Sequence, residues 1–157
     1  MMNTFISNSP SDTRKLAAAA AKFLRGGEII FLRGPIGAGK TVFVKALAKE
    51  MGLKGSPVSA SFSIMKAYKS KTKKLFHVDL FRLEEREMFN LGFEEMLADE
   101  NAVIAAEWPA PLENLINSPR LEMDFVLQGG DKREIIFKAR GERAELLLKN
   151  LTEALNA

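Results

Sequence analysis

Apolar residues at helical spacing begin near the amino terminus and predict an amphipathic helix. Ser9 can cap its first turn, Pro10 suits the first helical position, and apolar side chains recur on one face over residues 16–24. The glycine pair at 26–27 predicts the end of this helix. The short apolar run at 28–33 is typical of a strand buried on both faces.

Strand-like and helical segments continue to alternate along the rest of the chain. The predicted elements are a helix ending at Gly52, a hairpin of strands around 62–64 and 75–79 with its turn at 70–73, a strand at 102–106, paired strands at 121–127 and 135–137, and a closing helix at 144–155. No linker or fixed-period repeat divides them. We therefore expect one α/β domain over residues 1–157.

The amino-acid composition excludes several classes of protein and several kinds of metal site. The chain has 157 residues, 46% of them hydrophobic and 27% charged, which excludes wholesale disorder, a collagen-like repeat and a coiled-coil rod. It has no cysteine and one histidine, so any metal should be held by oxygen ligands. The first apolar stretch, at 16–21, is too short for a signal peptide or a membrane span. We expect a cytoplasmic protein with no membrane partner.

Charge is unevenly distributed although the net charge is only +3. Lysine occupies five of the nine positions from 66 to 74, and residues 84–100 hold seven acids and one arginine. Runs of this kind are usually solvated surface. The alternatives are a docking surface with one basic and one acidic part, or a basic patch that faces RNA.

A glycine-rich segment between the first strand and the second helix carries the strongest chemical signal. Residues 34–41 read Gly-Pro-Ile-Gly-Ala-Gly-Lys-Thr, which fits the G-x-x-x-x-G-K-S/T pattern in the strand-loop-helix context that it requires. Backbone amides of such a loop converge on phosphates, Lys40 can reach the β- and γ-phosphates, and Thr41 offers a hydroxyl to Mg²⁺. The predicted nucleotide-binding residues of this segment are Gly34, Gly37, Ala38, Gly39, Lys40, Thr41 and Val42.

The sequence favours ATP over GTP as the nucleotide. The nearest match to the guanine-reading N/T-K-x-D element is at 72–75 and lacks the aspartate, and a D-x-x-G switch signature is absent. ATP with Mg²⁺ is therefore the expected cofactor pair.

Two acids that end apolar strands are candidates for metal binding and catalysis. Asp79 and Glu107 each follow a short apolar run, as the Mg²⁺-side acid of phosphate-loop enzymes does. Each could instead cap a turn at a strand end. His77 is expected to be a packed, hydrogen-bonded histidine rather than a catalytic one. Trp108, the only tryptophan, is on its own more often a core residue than a ligand contact.

Four segments together resemble the TsaE family, the bacterial ATP-binding proteins of tRNA threonylcarbamoyladenosine synthesis. They are the loop ending Gly37-Ala38-Gly39-Lys40-Thr41, the run Ser59-Ala60-Ser61-Phe62 followed by Tyr68, the run His77-Val78-Asp79-Leu80-Phe81-Arg82-Leu83, and Glu107-Trp108-Pro109. The loop is generic, whereas the other three in this order are specific. The resemblance extends from the first helix to about Pro109.

The resemblance implies a three-layer α/β/α phosphate-loop NTPase fold with a mixed central sheet that includes antiparallel hairpins. It implies binding of ATP and Mg²⁺, slow hydrolysis, and action with the TsaB and TsaD proteins on the tRNA adenosine beside the anticodon. Thr41 and Glu107 would bind the metal and Asp79 would support it, while Lys40 with both acids would form the catalytic set. Ser61 would lie in a switch-like segment facing the γ-phosphate, and Trp108 would lie near the nucleotide.

The chain departs from the family pattern at three positions. Ser61 stands for the usual threonine and keeps its hydroxyl, Ala60 replaces the usual proline, and Phe81 replaces tyrosine. The switch-like segment is therefore expected to be less rigid.

Two other functions compete with this interpretation. A phosphate-loop kinase of a small metabolite would need a lid and further arginines, but Arg82 and Arg86 are the only arginines between the loop and Arg120. An RNA-binding module would need aromatic residues among the lysines, and only Tyr68 and Phe76 flank them. We expect transfer of phosphate to water and at most an indirect or minor contact with tRNA.

Overall fold

A mixed β-sheet forms the centre of the computed structural model, which describes residues 3–57, 65–81, 83–90 and 92–157. Its strands are β1 (Thr4–Ser7), β2 (Ile29–Arg33), β3 (Lys54–Pro57), β4 (Met65–Lys69), β5 (Lys74–Asp79), β6 (Ala102–Glu107), β7 (Arg120–Leu127) and β8 (Arg133–Arg140). The helices are α1 (Pro10–Ala21), α2 (Lys40–Glu50), α3 (Phe93–Ala98), α4 (Ala110–Glu113) and α5 (Glu142–Leu155), with a 3₁₀ helix at Glu85–Asn90.

The sheet has a parallel centre and antiparallel flanks. Its strand order is β1-β8-β7-β2-β6-β5-β4-β3, in which β7, β2, β6 and β5 run parallel. Hairpins β7-β8 and β4-β5 continue it on either side, and β1 and β3 add antiparallel outer strands. The carboxyl ends of the parallel strands meet at one edge of the sheet, here called the carboxyl edge, and their starts meet at the opposite amino edge.

Helices cover both faces, and the predicted three-layer α/β/α class with a mixed sheet and antiparallel hairpins is confirmed. Helices α1, α2 and α5 pack on one face, and α3, α4 and the 3₁₀ helix pack on the other. Strand β2 is buried on both sides, because Ile30 and Leu32 join the first apolar cluster while Ile29 and Phe31 join the second. This agrees with the continuous apolar run in its sequence.

Helix α1 starts as predicted but ends earlier than its glycine pair. The Ser9 hydroxyl accepts a hydrogen bond from the amide of Asp12 at 3.2 Å, and Pro10 occupies the first turn. The last helical residue is Ala21, because the amides of Arg25 and Gly26 donate to the carboxylate of Glu28 instead of continuing the helix. The side chain of Glu28 therefore fixes the entry into β2.

The hairpin before the acidic segment is confirmed in part. Strands β4 and β5 are joined at residues 70–73, the predicted turn. The first strand of that hairpin was expected around 62–64, which lies outside the described residues.

In the part of the chain that the structure describes, none of the helices is long and apolar enough to cross a lipid bilayer.

Candidate nucleotide-binding site

The glycine loop, residues 34–41, lies at the carboxyl edge of the sheet between β2 and the start of α2. Open α/β sheets bind ligands at this edge. Gly39 precedes α2 with a φ of 102°, and no side chain caps the first turn of that helix. The loop therefore leads to a helix amino terminus whose backbone donors suit an anion.

Gly34 shows why the loop needs glycine at its first position. Its φ is 141°, and a Cβ added there would lie 2.6 Å from the carbonyl oxygen of Phe125 in the neighbouring β7. A side chain would therefore be both strained and blocked by backbone. Gly37 also has a positive φ, of 82°, but in open space.

Arg133 supports the loop from the start of β8. Its guanidinium donates to the carbonyl oxygens of Gly37 and Ala38 at 3.1 and 3.2 Å. These contacts turn two loop carbonyls toward the arginine. No sequence pattern indicated this role, because the partners are more than 90 residues apart along the chain.

Lys40 is held inside the site, with 4% of its surface exposed. Its ammonium donates to the carbonyl oxygen of Gly34 and lies 3.7 Å from the centroid of the Trp108 ring. Burial lowers the pKa of Lys40, while the charges of Glu107 and Asp79 act in the opposite direction. The cation is thus compensated by two acids and an aromatic face.

Thr41 and Glu107 meet beside the loop. The Thr41 hydroxyl lies 3.2 and 3.1 Å from the two carboxylate oxygens of Glu107, which is 4% exposed. Burial acts to raise the pKa of Glu107, but hydrogen bonds from His77 and Thr41 and the charges of His77 and Lys40 outweigh it and hold that pKa below its usual value. Glu107 is therefore an anion inside the protein.

His77 fixes the orientation of that carboxylate. Its Nε2 lies 2.5 Å from Oε2 of Glu107, and because a carboxylate only accepts, Nε2 is the protonated ring nitrogen. His77 is 7% exposed, which confirms the expectation of a packed, hydrogen-bonded histidine. What the sequence did not indicate is that its partner is the predicted metal ligand.

Asp79 lies next to Glu107 in the sheet. The two residues are paired in the register between β5 and β6, so their side chains leave the same face at the carboxyl edge. The Asp79 carboxylate accepts a hydrogen bond from the amide of Phe81 at 3.0 Å. Asp79 is exposed to solvent. It thus also caps the turn after β5, the alternative that the sequence left open.

The hydroxyl and carboxylate oxygens at this site are ligands that suit a Mg²⁺ ion bound together with a nucleotide. Among the described residues no three His, Cys, Asp or Glu side chains form a ready metal cage. Mg²⁺ commonly takes only one or two protein oxygens and completes its shell with phosphate and water. Thr41 and Glu107 present such a pair, with Asp79 close to it along the sheet edge.

Trp108 closes one side of the site. It adopts a φ of 55°, unusual for a bulky residue, and its ring packs 4.9 Å from that of Phe81. A cavity of about 540 Å³ lies alongside, lined in part by Trp108, Phe81 and Arg33. The structure thus brings together five of the predicted site residues, Lys40, Thr41, Asp79, Glu107 and Trp108. Val42 is half-buried in the first turn of α2. Ser61 lies outside the described residues.

Comparison with known proteins decides the family. The profile of the family described as "Threonylcarbamoyl adenosine biosynthesis protein TsaE" matches residues 7–135. The chain belongs to the TsaE family. The resemblance seen in the sequence is thereby confirmed.

Individual TsaE relatives match over most of their length. The tRNA threonylcarbamoyladenosine biosynthesis protein TsaE of Bacillus subtilis is 34% identical over 144 residues, which cover 92% of this chain and 90% of the relative. The protein of the same name from Aquifex aeolicus is 37% identical over 110 residues, 69% of this chain and 77% of the relative. The crystal structure of Bacillus subtilis YdiB aligns with a TM-score of 0.78 at 30% identity, covering 98% of this chain and 97% of that one.

Proposed function

We propose that this protein binds ATP with Mg²⁺ at the glycine loop and hydrolyses it slowly to ADP and phosphate. It would do so in the cytoplasm, as the ATP-binding member of the machinery that places threonylcarbamoyl on the tRNA adenosine beside the anticodon. The observation that carries the proposal is the meeting of Lys40, Thr41 and Glu107 at the amino terminus of α2. A lysine, a hydroxyl and an acid in this arrangement are the parts that phosphoryl transfer requires.

Each side chain would act on a different part of the nucleotide. The Lys40 ammonium would leave the Gly34 carbonyl and the Trp108 ring and pair with β- and γ-phosphate oxygens. Thr41 and Glu107 would hold Mg²⁺, which supplies charge neutralisation between those phosphates. The loop amides and the first turn of α2 would bind the remaining oxygens.

The acids would also position the attacking water. The hydrogen bond from His77 would keep the anionic carboxylate of Glu107 in one orientation. Asp79 is exposed at the same edge and can accept a proton or a hydrogen bond from water. Ser61, through its hydroxyl, would complete the γ-phosphate side. We therefore assign Lys40, Asp79 and Glu107 as the catalytic set.

Slow ATP hydrolysis suits a protein whose ATP turnover is controlled by partner proteins. We propose that TsaB and TsaD are the partners, as membership of the TsaE family suggests. In this function ATP hydrolysis sets the timing of a cycle rather than phosphorylating a substrate.

The test is ATP turnover by the purified protein, measured alone, with TsaB and TsaD, and with both plus unmodified tRNA. We expect slow release of phosphate that rises in the presence of the partners. A rate unaffected by the partners, together with transfer of the γ-phosphate to a small acceptor, would instead establish the kinase alternative.

A further inference from the structure

The amino edge of the sheet, opposite the glycine loop, gathers positive charge from three separate parts of the chain. Lys54 starts β3, Lys69 ends β4 and Lys74 starts β5, and the register places Lys69 directly opposite each of the other two. Lysines directly opposite one another share a face and lie about 5 Å apart at their Cβ atoms. They form a row of three like charges across three strands.

The turn at residues 70–73 and the segment that follows helix α1 extend this row. The ammonium of Lys73 donates to the carbonyl oxygen of Leu24 at 3.3 Å, which ties the turn to the segment after α1. That segment contributes Lys22 and Arg25, both exposed. We call the whole set the basic edge; its members are Lys22, Arg25, Lys54, Lys69, Lys71, Lys73 and Lys74.

Stability does not explain the row formed by Lys54, Lys69 and Lys74. Like charges placed directly opposite each other in a sheet are destabilising. Lysine on an outer strand can prevent aggregation, which accounts for Lys54 but not for Lys69, because β4 is an inner strand. Lys22 and Arg25 follow α1, where cations are favourable, and Arg25 donates to the carbonyl oxygen of Lys22 at 2.8 Å. Asp99 offsets only Lys74, at 2.9 Å.

We propose that the basic edge is a docking surface for the phosphate backbone of RNA. Surfaces that contact phosphates are built from Lys and Arg, and flexible lysines bind phosphate as point charges without a fixed geometry. Protein interfaces instead deplete lysine and need apolar or aromatic anchors at their centre. Among the described residues, none of the exposed large hydrophobic side chains falls in the segments that form this edge.

The location gives the surface a separate role from the nucleotide site. Strand β5 starts with Lys74 at the amino edge and ends with Asp79 at the carboxyl edge, so RNA bound here would leave the glycine loop open. The sequence favoured a solvated lysine turn and a minor contact with tRNA. The structure adds Lys22 and Arg25 from the segment after α1, and Lys54 from β3, which the linear run does not reveal.

The test compares two triple variants with the same charge change. Lys54→Gln/Lys69→Gln/Lys71→Gln removes three exposed cations of the basic edge, and Lys15→Gln/Lys138→Gln/Lys149→Gln removes three exposed lysines elsewhere. Binding of a fluorescein-labelled, unmodified tRNA transcript is measured by anisotropy over a salt series, and ATP turnover is measured beside it. We expect the edge variant to lose at least about tenfold in affinity for the transcript, with unchanged ATP turnover. The slope of log affinity against log salt concentration should become shallower by about two.

Other outcomes would overturn the assignment. Equal losses in both triple variants would mean a general charge effect, and wild-type affinity in the edge variant would mean that RNA binds elsewhere or not at all. A poly-glutamate chain that competes with the transcript at equal charge concentration would show that the edge binds acidic polypeptide instead. Loss of ATP turnover with intact RNA binding would concern the nucleotide site and would also contradict the separation of the two surfaces.

Discussion

The Thr41 hydroxyl lies within 3.2 Å of both carboxylate oxygens of Glu107, although the two residues are 66 positions apart in the chain. Thr41 lies in the first turn of α2 and Glu107 ends β6, so the contact depends on β2 and β6 being neighbours in the sheet. It brings a hydroxyl and an anion together beside the glycine loop. Two oxygens of these types are what Mg²⁺ would use.

Removal of the Thr41 hydroxyl should raise the Mg²⁺ concentration needed for ATP turnover. Thr41→Ala deletes a metal ligand, so we expect at least a roughly tenfold loss of turnover at limiting Mg²⁺, about 1.4 kcal/mol. Thr41→Ser keeps the hydroxyl and should remain close to wild type. A Thr41→Ala protein with wild-type Mg²⁺ dependence would disprove the metal role of this residue.

Glu107→Gln should slow hydrolysis while ATP still binds. The substitution keeps the size of the side chain and removes the negative charge that faces Thr41 and Lys40. We expect turnover to fall by about tenfold or more. The matched control is Glu122→Gln, because Glu122 is also buried, at 2% exposure, but lies opposite Phe31 inside the sheet. Its partners are Arg33, Arg120 and Arg140 instead of Thr41 and Lys40.

The control should separate chemistry from folding. Measured well below the melting temperature of each variant, Glu122→Gln should keep wild-type ATP turnover. A loss of turnover in Glu107→Gln that is fully matched by unfolding would remove this acid from the mechanism.

Gly34→Ala should destabilise the protein more than Gly129→Ala. Both glycines have a positive φ, 141° and 101°, but only the Cβ at Gly34 would meet backbone, at 2.6 Å from the carbonyl oxygen of Phe125. We expect about 1 kcal/mol for Gly129→Ala from conformation alone and about 1–3 kcal/mol more for Gly34→Ala. Urea denaturation of both variants measures the difference, and equal free energies of unfolding would contradict the close approach of β2 and β7.

Glu122 should contribute stability that disappears in acid. Burial acts to raise its pKa, but hydrogen bonds from Arg140 and Arg33 and their charges outweigh it and lower that pKa below the ordinary 4.5. The folded state therefore favours the anion, so the contribution is complete above pH 4.5 and declines as the pH falls below it.

The comparison with Glu122→Gln isolates this contribution. At pH 7 the variant should be less stable by about 2 kcal/mol, because it weakens charge-assisted hydrogen bonds to Arg33 and Arg140, which are themselves partly exposed. The difference should shrink below pH 4.5, as the wild-type carboxyl gains a proton. A difference that stays constant from pH 7 to pH 3 would show that the charge of Glu122 does not matter.

The sequence predicted the strand, the glycine loop and helix α2 because each has a strong local signal. An apolar run, positive-φ glycines and helical spacing follow one another within residues 28–52, and the structure confirms all three. The short strands β1 and β3 were not predicted. β1 has four residues, and β3 contains Gly55 and Pro57, so their extended form depends on pairing with β8 and β4.

The candidate site could be predicted residue by residue but not as an arrangement. Motif spacing identified Lys40, Thr41 and Glu107, yet the contacts of His77 and Arg133 join distant segments and depend on strand order. A histidine two residues before a predicted metal acid gives no sign that it will bond to a different acid on the next strand. Only the register between β5 and β6 supplies that relation.

Equilibrium titration with Mg²⁺-ATP by calorimetry tests the central claim most directly. The wild-type protein should bind ATP more tightly than GTP, because the sequence lacks a guanine-reading element. Lys40→Ala should weaken ATP binding by at least about tenfold, since it removes the cation that would pair with the phosphates. No measurable ATP binding by the wild type, GTP binding of equal strength, or undiminished affinity in Lys40→Ala would contradict the assignment of this loop as an ATP site.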